Sequence, residues 1–286
     1  MRIEKDFSFK LSLRFIFYDL FIEEQERMNF MKLKKVFERK ETKYLLTNSQ
    51  FTDFLKDLEK RMTIDEFGLH TIQSLYYDTN DDYFIKRSIE KPRYKEKFRV
   101  RSYGQASSEK LVFLEMKKKV NGIVYKRRLP LSYEEYNVWE ATGVLPERVE
   151  KTQIANEISW LFQTNPDLHA KVLIAYDRLS LFDEEDETFR VTFDQKIRFR
   201  NQWLELDRDT HERCEPVAEE VDVLMEVKAM GAYPLWFSHL LTEHHVYKAS
   251  FSKYAQTYQR HLFIPQKEIA FVKEHPVCKG EISYVG

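Results

Sequence analysis

Polar and apolar residues alternate with a period of two over several stretches of the chain, and most clearly over Lys95–Arg128. The first part of that stretch sets Lys97, Arg99 and Arg101 against Phe98, Val100 and Ser102. Successive side chains of a strand point to opposite faces, so the three cations share one face. Leu111–Lys119 repeats the pattern, with Glu115, Lys117 and Lys119 in one phase and Val112, Leu114 and Met116 in the other. Asn121-Gly122 predicts a tight hairpin turn, and the chain returns through Val124–Arg128 with Lys126 and Arg128 together. Three antiparallel strands thus carry at least six cations and one carboxylate on a common face. Like charges side by side on neighbouring strands repel. A polyanion site accounts for the pattern better than a solvated sheet face.

The same alternation predicts further strands. Lys35–Leu46 sets Arg39, Glu41 and Lys43 opposite Val36, Thr42 and Tyr44. His70–Asp78 follows, then Lys171–Phe182 with Tyr176, Arg178 and Ser180 in phase. Phe189–Arg200 puts Arg190, Thr192, Asp194, Lys196 and Arg198 on one side and Val191, Phe193 and Ile197 on the other. Val221–Met230 places Leu224, Glu226 and Lys228 on one face. Helical spacing takes over in between. Asn48 is read as the cap of a helix to about Met62, with Phe51, Phe54, Leu55 and Leu58 as its apolar stripe. Tyr83–Glu90 is a short helix broken at Lys91-Pro92. Ser132 and Glu135 form a capping-box signature for a helix to about Ala141, closed at Gly143. Lys151–Gln163 is a helix with Ile154, Ile158, Trp160 and Leu161 on its buried side, and Pro234–His244 and Ser252–Leu262 are the last two. Asp183–Glu187 reads as a solvated acidic turn. Residues 1–32 form an N-terminal extension, 33–262 the domain, and 263–286 a peripheral tail. Within the extension Leu11–Ile22 is apolar but interrupted by Arg14 and Asp19, which argues against a signal peptide.

These elements predict an α+β fold: a closed antiparallel β-barrel of about eight strands, a tunnel with a charged lumen flanked by short helices. Desolvating so many cations with few counter-charges is costly unless a polyanion or water fills the space. The composition concentrates that site. Lys+Arg 46 against Asp+Glu 47 gives a net charge of −1, unlike an open nucleic-acid surface. Two cysteines, Cys214 and Cys278, make neither a disulfide framework nor a zinc site and fit a reducing cytoplasm. No window approaches the length of a membrane span, and no P-loop or dinucleotide fingerprint is present.

Nine short motifs occur in order. They are Arg39-x-Glu41-x-Lys43-Tyr44, Leu75-Tyr-Tyr-Asp-Thr79, Phe98-Arg-Val-Arg101, Leu114-Glu-Met-Lys117, Lys126-Arg-Arg128, Tyr176-Asp-Arg178, Arg190-Val-Thr-Phe-Asp194, Met225-Glu-Val-Lys228 and Ser250-Phe-Ser-Lys-Tyr254. Over about residues 33–262 the set resembles the VTC-type polyphosphate polymerase domain of the triphosphate tunnel metalloenzyme superfamily. The resemblance implies a tunnel of antiparallel strands that binds ATP by its phosphates. It also implies transfer of the terminal phosphoryl group to a growing polyphosphate chain with Mn²⁺ or Mg²⁺. Triphosphatase and cyclase branches typically open with Glu-x-Glu-x-Lys. Arg39 departs from that pattern and favours the polymerase branch.

Phosphoryl transfer needs oxygens held in line and their charge neutralised. Lys43, Arg99, Arg101, Lys117, Arg178, Arg190 and Glu226 form the expected catalytic set, and Lys126, Arg128, Lys228, Ser252 and Lys253 the further phosphate contacts. Glu226 is the expected metal ligand, because a hard divalent cation between phosphates wants an oxygen anion. Glu41 and Glu115 are read as salt-bridge partners, and Tyr44, Tyr76 and Tyr254 as core or strand-end residues. Arg39, Lys97, Lys119 and Arg198 are the expected cations of an acceptor end. A tunnel triphosphatase and a non-catalytic polyphosphate-binding module are the competing readings. A nucleic-acid duplex does not fit a lumen of this size, and a membrane partner for the product stays open.

Overall fold

The computed structural model describes residues 39–121, 123–186 and 188–263. The start of the first expected strand, most of the tail and the whole N-terminal extension lie outside the described residues. Eight long strands appear, as the alternation predicts: β1 (Arg39–Leu46), β3 (His70–Asp78), β4 (Tyr94–Tyr103), β5 (Leu111–Val120), β6 (Ile123–Ser132), β7 (His169–Phe182), β8 (Arg190–Arg200) and β10 (Val223–Met230). Two-residue strands β2 (Thr63–Ile64), β9 (Glu215–Pro216) and β11 (Lys248–Ala249) complete one antiparallel sheet. Its order is β11-β1-β10-β8-β7-β3-β4-β5-β6, with β2 on β7 and β9 on β8. The ladder ends at β6 and β11, and among the described residues no hydrogen bonds join those ends. The closed barrel of the sequence reading is thus an open sheet, curled so that one face encloses a cavity. Alternation fixes which side chains share a face, and it carries no information on whether terminal strands pair.

Two apolar clusters cover the outer face. Val100, Leu114 and Leu131 pack under α3 (Tyr133–Thr142) and α5 (Gln153–Thr164) through Tyr136, Trp139, Ile158 and Leu161, with α4 (Glu147–Glu150) alongside. Tyr44, Val191, Phe193 and Met225 pack under α1 (Asn48–Leu58) and α6 (Leu235–Glu243) through Phe54, Leu58, Phe237 and Leu240. Burying a Phe54-sized side chain completely contributes roughly 2–3 kcal/mol. A third cluster fills part of the inner face. Here α2 (Tyr83–Glu90), α7 (Lys253–Thr257) and the π-turn Tyr258–Leu262 bring Ile85, Tyr254 and Tyr258 against Ile72, Ile174, Phe199 and Leu224. Asp78, fully buried, ties this plug together by accepting from the backbone N–H groups of Phe84 and Ile85 and from the Tyr254 hydroxyl.

Local chemistry explains the helix limits. Ser132 and Glu135 make the predicted capping box, and Gly143 closes α3 at φ +72°. α1 is capped by Thr47 in a capping box with Gln50, one residue before the expected Asn48, and it ends at Leu58. Thr152 caps α5. Trp160, expected inside, is 67% exposed, because Ala155, Ile158 and Leu161 occupy the buried stripe.

One irregularity decides where several arginines point. Between Ala175↔Arg198 and Asp177↔Gln195, β8 holds two residues against the single Tyr176 of β7. Lys196, at φ +47°, is the extra residue of a β-bulge. Beyond it the phase inverts. Ile197 and Phe199 join the inner apolar cluster, while Arg198 turns to the outer face. There it is buried, donating to the Thr210 and Lys196 carbonyls and to Asp177.

Candidate functional site

The inner face gathers its charge into a cavity of about 210 Å³. β1 supplies Glu41 and Lys43; β3, Tyr76; β4, Lys97, Arg99 and Arg101; β5, Glu115 and Lys117; and β6, Lys126. Tyr176 and Arg178 come from β7, Glu226 and Lys228 from β10, and Ser252 and Lys253 from the start of α7. Nine cations therefore line a space with three carboxylates. The volume is several times that of one water, roughly 30 Å³. It suits anionic groups and excludes a duplex.

Glu115 centres one half of the site. Four cations converge on its carboxylate: Arg128 at 2.6 Å, Arg99 at 2.7 Å, Lys126 at 3.0 Å and Arg101 at 3.8 Å. Burial works against its charge, but these neighbours hold the carboxyl far below its usual range. Arg99 also donates to the Tyr76 hydroxyl, and Arg101 to that of Tyr176. Burial raises the Tyr76 phenol, yet Arg99, Lys97 and Arg101 overrule it and bring it down to about 8. Lys97 is pushed down to about 8 by burial, with Lys95, Lys117 and Arg99 adding like charge and Tyr76 opposing.

Asp194 and Glu226 centre the other half. Arg178 binds Asp194 through two nitrogens at 2.6 and 2.7 Å, and Lys253 shares that carboxylate. Glu226 lies 3.0 Å from Lys43, 3.2 Å from Arg178 and 3.6 Å from Lys253. Burial opposes ionisation of both acids, and the surrounding cations win: both are held below the usual carboxylate range. Burial lowers Lys253 as well, but Asp194 and Glu226 raise it above the ordinary lysine value. The Tyr176 ring lies 4.3 Å under the Lys253 ammonium and 5.2 Å from the Arg178 guanidinium.

Of the expected catalytic set, Lys43, Arg99, Arg101, Lys117, Arg178 and Glu226 line this cavity, as do Lys126, Lys228, Ser252 and Lys253. Arg128 reaches it through Glu115. Arg190 does not line it: it stands exposed at the start of β8, opposite Lys228. Among the expected acceptor cations, Lys97 lines the cavity and Lys119 a neighbouring one, while the bulge takes Arg198 to the other face. The Arg39 side chain lies outside the described residues. Glu41 sits 3.8 Å from Lys43, and Tyr44 and Tyr254 are core residues. Tyr76, read as core, lines the cavity as well. Asp194 and Tyr176 were given no role from sequence. Counting back evenly from the acidic turn centred on Asp186 sets Asp194 opposite Arg178, so that signal was available.

Both Glu226 oxygens face cations. Among the described residues no three His, Cys, Asp or Glu side chains converge as a metal cage. A divalent ion held here would therefore rest on Glu226, with its remaining ligands supplied from outside the protein.

A second pocket of about 560 Å³ shares Lys97, Lys117 and Ser252 with the first. It adds Lys91, Lys95 and Lys119, with Glu96 as its one lining carboxylate.

These observations define an α+β protein whose curled antiparallel sheet carries a cation-rich cavity on its inner face. The chain belongs to the VTC domain family, whose model matches residues 38–262. Among solved structures it is similar to a candidate adenylate cyclase from Bacillus halodurans, at 14% identity and a TM-score of 0.49. That match covers 78% of this chain and 96% of the other. It is also similar to a candidate adenylyl cyclase from Hippeastrum described as having a dominant triphosphatase activity. There the identity is 13%, the TM-score 0.47 and the coverage 77% and 95%. Likenesses at this level transfer no residue's role. No curated protein sequence matches the chain. Among the described residues no helix is long and apolar enough to cross a membrane.

Proposed function

We propose that the domain synthesises inorganic polyphosphate, transferring the terminal phosphoryl group of ATP to a growing chain held among these cations. The observation that carries the reading is the continuation of the basic lining past the first cavity into the pocket of Lys91, Lys95 and Lys119. A hydrolase has to neutralise one triphosphate. A polymerase must also hold an anionic acceptor in line with the terminal phosphorus against the repulsion between two polyanions. In this reading Arg99, Arg101 and Arg178 grip phosphate oxygens in the bidentate manner open to guanidinium groups. Lys43, Lys117, Lys126, Lys228 and Lys253 neutralise charge around them, and Lys97, between the two pockets, meets donor and acceptor alike. Mn²⁺ or Mg²⁺ arriving with the nucleotide would add to the neutralisation of phosphate charge. Glu226 is the carboxylate we assign to it, at the expense of an ion pair to Lys43 or Lys253.

One observation favours a triphosphatase as the second reading: apolar side chains of α2 and α7 fill the rest of the inner face. Incubation of purified protein with ATP and Mn²⁺, followed by separation of long polyphosphate from free phosphate, decides between them. Long chains support the polymerase; free phosphate alone supports the hydrolase. Tight tripolyphosphate binding without either product leaves a non-catalytic module.

A further inference from the structure

The end of the sheet formed by β4, β5 and β6 carries an apolar surface that the cavity does not use. Helices α3 and α5 cover the outer face as far as Phe98 and Met116. Beyond them, Tyr94, Val120 and Ile123 form a cross-strand row, and Tyr125 stands opposite Lys118 in the row before. These four apolar side chains are 45%, 37%, 51% and 50% exposed. On the other face Val124 is exposed beside Lys119. Residues 117–128 hold six Lys and Arg and no acid, in a chain whose net charge is −1. Glu157 engages Lys118 and Arg127, and Glu115 engages Lys126 and Arg128. Lys91, Arg93, Lys117 and Lys119 remain exposed around the tip.

Aliphatic and Tyr side chains bordered mainly by lysine and arginine, with Glu96 and Glu157 as the acids in the row beside them, match the chemistry of an anionic headgroup layer. The apolar groups enter the interface while the cations meet lipid phosphates and carboxylates. A protein partner would instead favour a patch depleted of lysine. We propose that the β4–β5–β6 tip docks on an anionic phospholipid bilayer. Tyr94, Val120, Ile123 and Tyr125 enter the interfacial layer, with Arg93 and its neighbouring lysines at the headgroups. The docking stands apart from the phosphoryl-transfer reading. If both hold, the pocket lined by Val124 and Lys119 opens next to the bilayer.

Co-sedimentation of the full chain with vesicles tests it, using phosphatidylcholine alone and phosphatidylcholine mixed with phosphatidylserine. The wild type is expected to pellet with the mixed vesicles only, and less so at high salt. Ile123→Asp with Tyr125→Asp is expected to weaken that binding at least ~10-fold, and Arg93→Glu to weaken it less. Unchanged thermal unfolding and tripolyphosphate binding would show the variants folded, since neither Ile123 nor Tyr125 lines either pocket. A wild type that stays in the supernatant overturns the proposal. So does a double variant that binds as well as wild type, which would put the attachment elsewhere in the chain. A wild-type dimer that the double variant dissolves would assign the face to a second copy instead.

Discussion

The two halves of the cavity solve the same electrostatic problem differently. Around Glu115, one carboxylate serves four cations, and two of these, Lys126 and Arg128, have 45% and 35% of their side chains exposed. Around Asp194 and Glu226, two carboxylates serve Arg178, Lys253 and Lys43, with Asp194 fully buried. The first half keeps a surplus of positive charge that water screens until an anion arrives. The second is nearly balanced, which removes most of the cost of burying its ions. The contrast suggests a division of labour: the β4–β6 side attracts the substrate, and the β7–β10 side fixes the geometry against which it is held.

The largest expected effect separates the halves by stability. Asp194→Asn leaves Arg178 and Lys253 buried beside an uncharged partner and is expected to cost about 3–5 kcal/mol in denaturant unfolding. Glu115→Gln should cost clearly less, since part of its cation shell reaches water. Equal losses would end the distinction. Turnover sharpens it next. Glu226→Gln should lower product formation on the order of 10²-fold while tripolyphosphate still binds, because the charge it handles develops at transfer and not on binding. A variant that works normally would remove Glu226 from the chemistry.

Glu115→Gln also has a binding signature. Freed of their internal anion, Arg99, Arg101, Lys126 and Arg128 should bind tripolyphosphate ~10-fold more tightly by calorimetry. Added tripolyphosphate should then raise the variant's melting temperature more than the wild type's. The smallest effect is a pH slope. Their surroundings bring Lys97 and Tyr76 to about 8, and burial brings the cavity's Lys126 to about 8 as well. As pH rises from 7 to 9, Lys97 loses its positive charge and Tyr76 gains a negative one. Both changes weaken anion binding, by up to ~10-fold per pH unit for each proton taken up on binding. Lys97→Met should flatten that slope; an unaltered profile would show that Lys97 does not meet the ligand.

Much of this was legible in the alternation, because a period of two is a local property. It set Lys97, Arg99, Arg101, Glu115, Lys117 and Lys126 on the inner face, and Phe98, Val100 and Leu114 on the outer. The capping box at Ser132 and Glu135 was equally local. What escaped depends on neighbours distant in sequence. Tyr176 opposes two residues of β8, and no feature of β8 alone announces that bulge. Trp160 satisfies helical spacing as well as Ile158 does, and only the packed face of α5 distinguishes them. Asp194 appears as one acid among basic residues until its strand is laid against Arg178.

The bulge at Lys196 has a consequence for insertions and deletions in this chain. Ahead of it, β8 presents Thr192 and Asp194 inward; past it, Ile197 and Phe199. Removing the one codon for Lys196 would delete the residue that has no partner of its own, leaving Ile197 opposite Tyr176 and Arg198 opposite Ala175. Arg198 and Arg200 would keep their face, and with it the guanidinium clamps on the carbonyls of Thr210, Asp209 and Glu205, whereas removing a paired residue such as Phe193 would turn Asp194 away from Arg178. A residue lost from the exposed turn between β7 and β8 shifts no such frame and should be tolerated. Tolerance to length change along this hairpin is therefore set by position within the ladder, and the most forgiving point inside β8 is an exposed lysine that touches neither pocket.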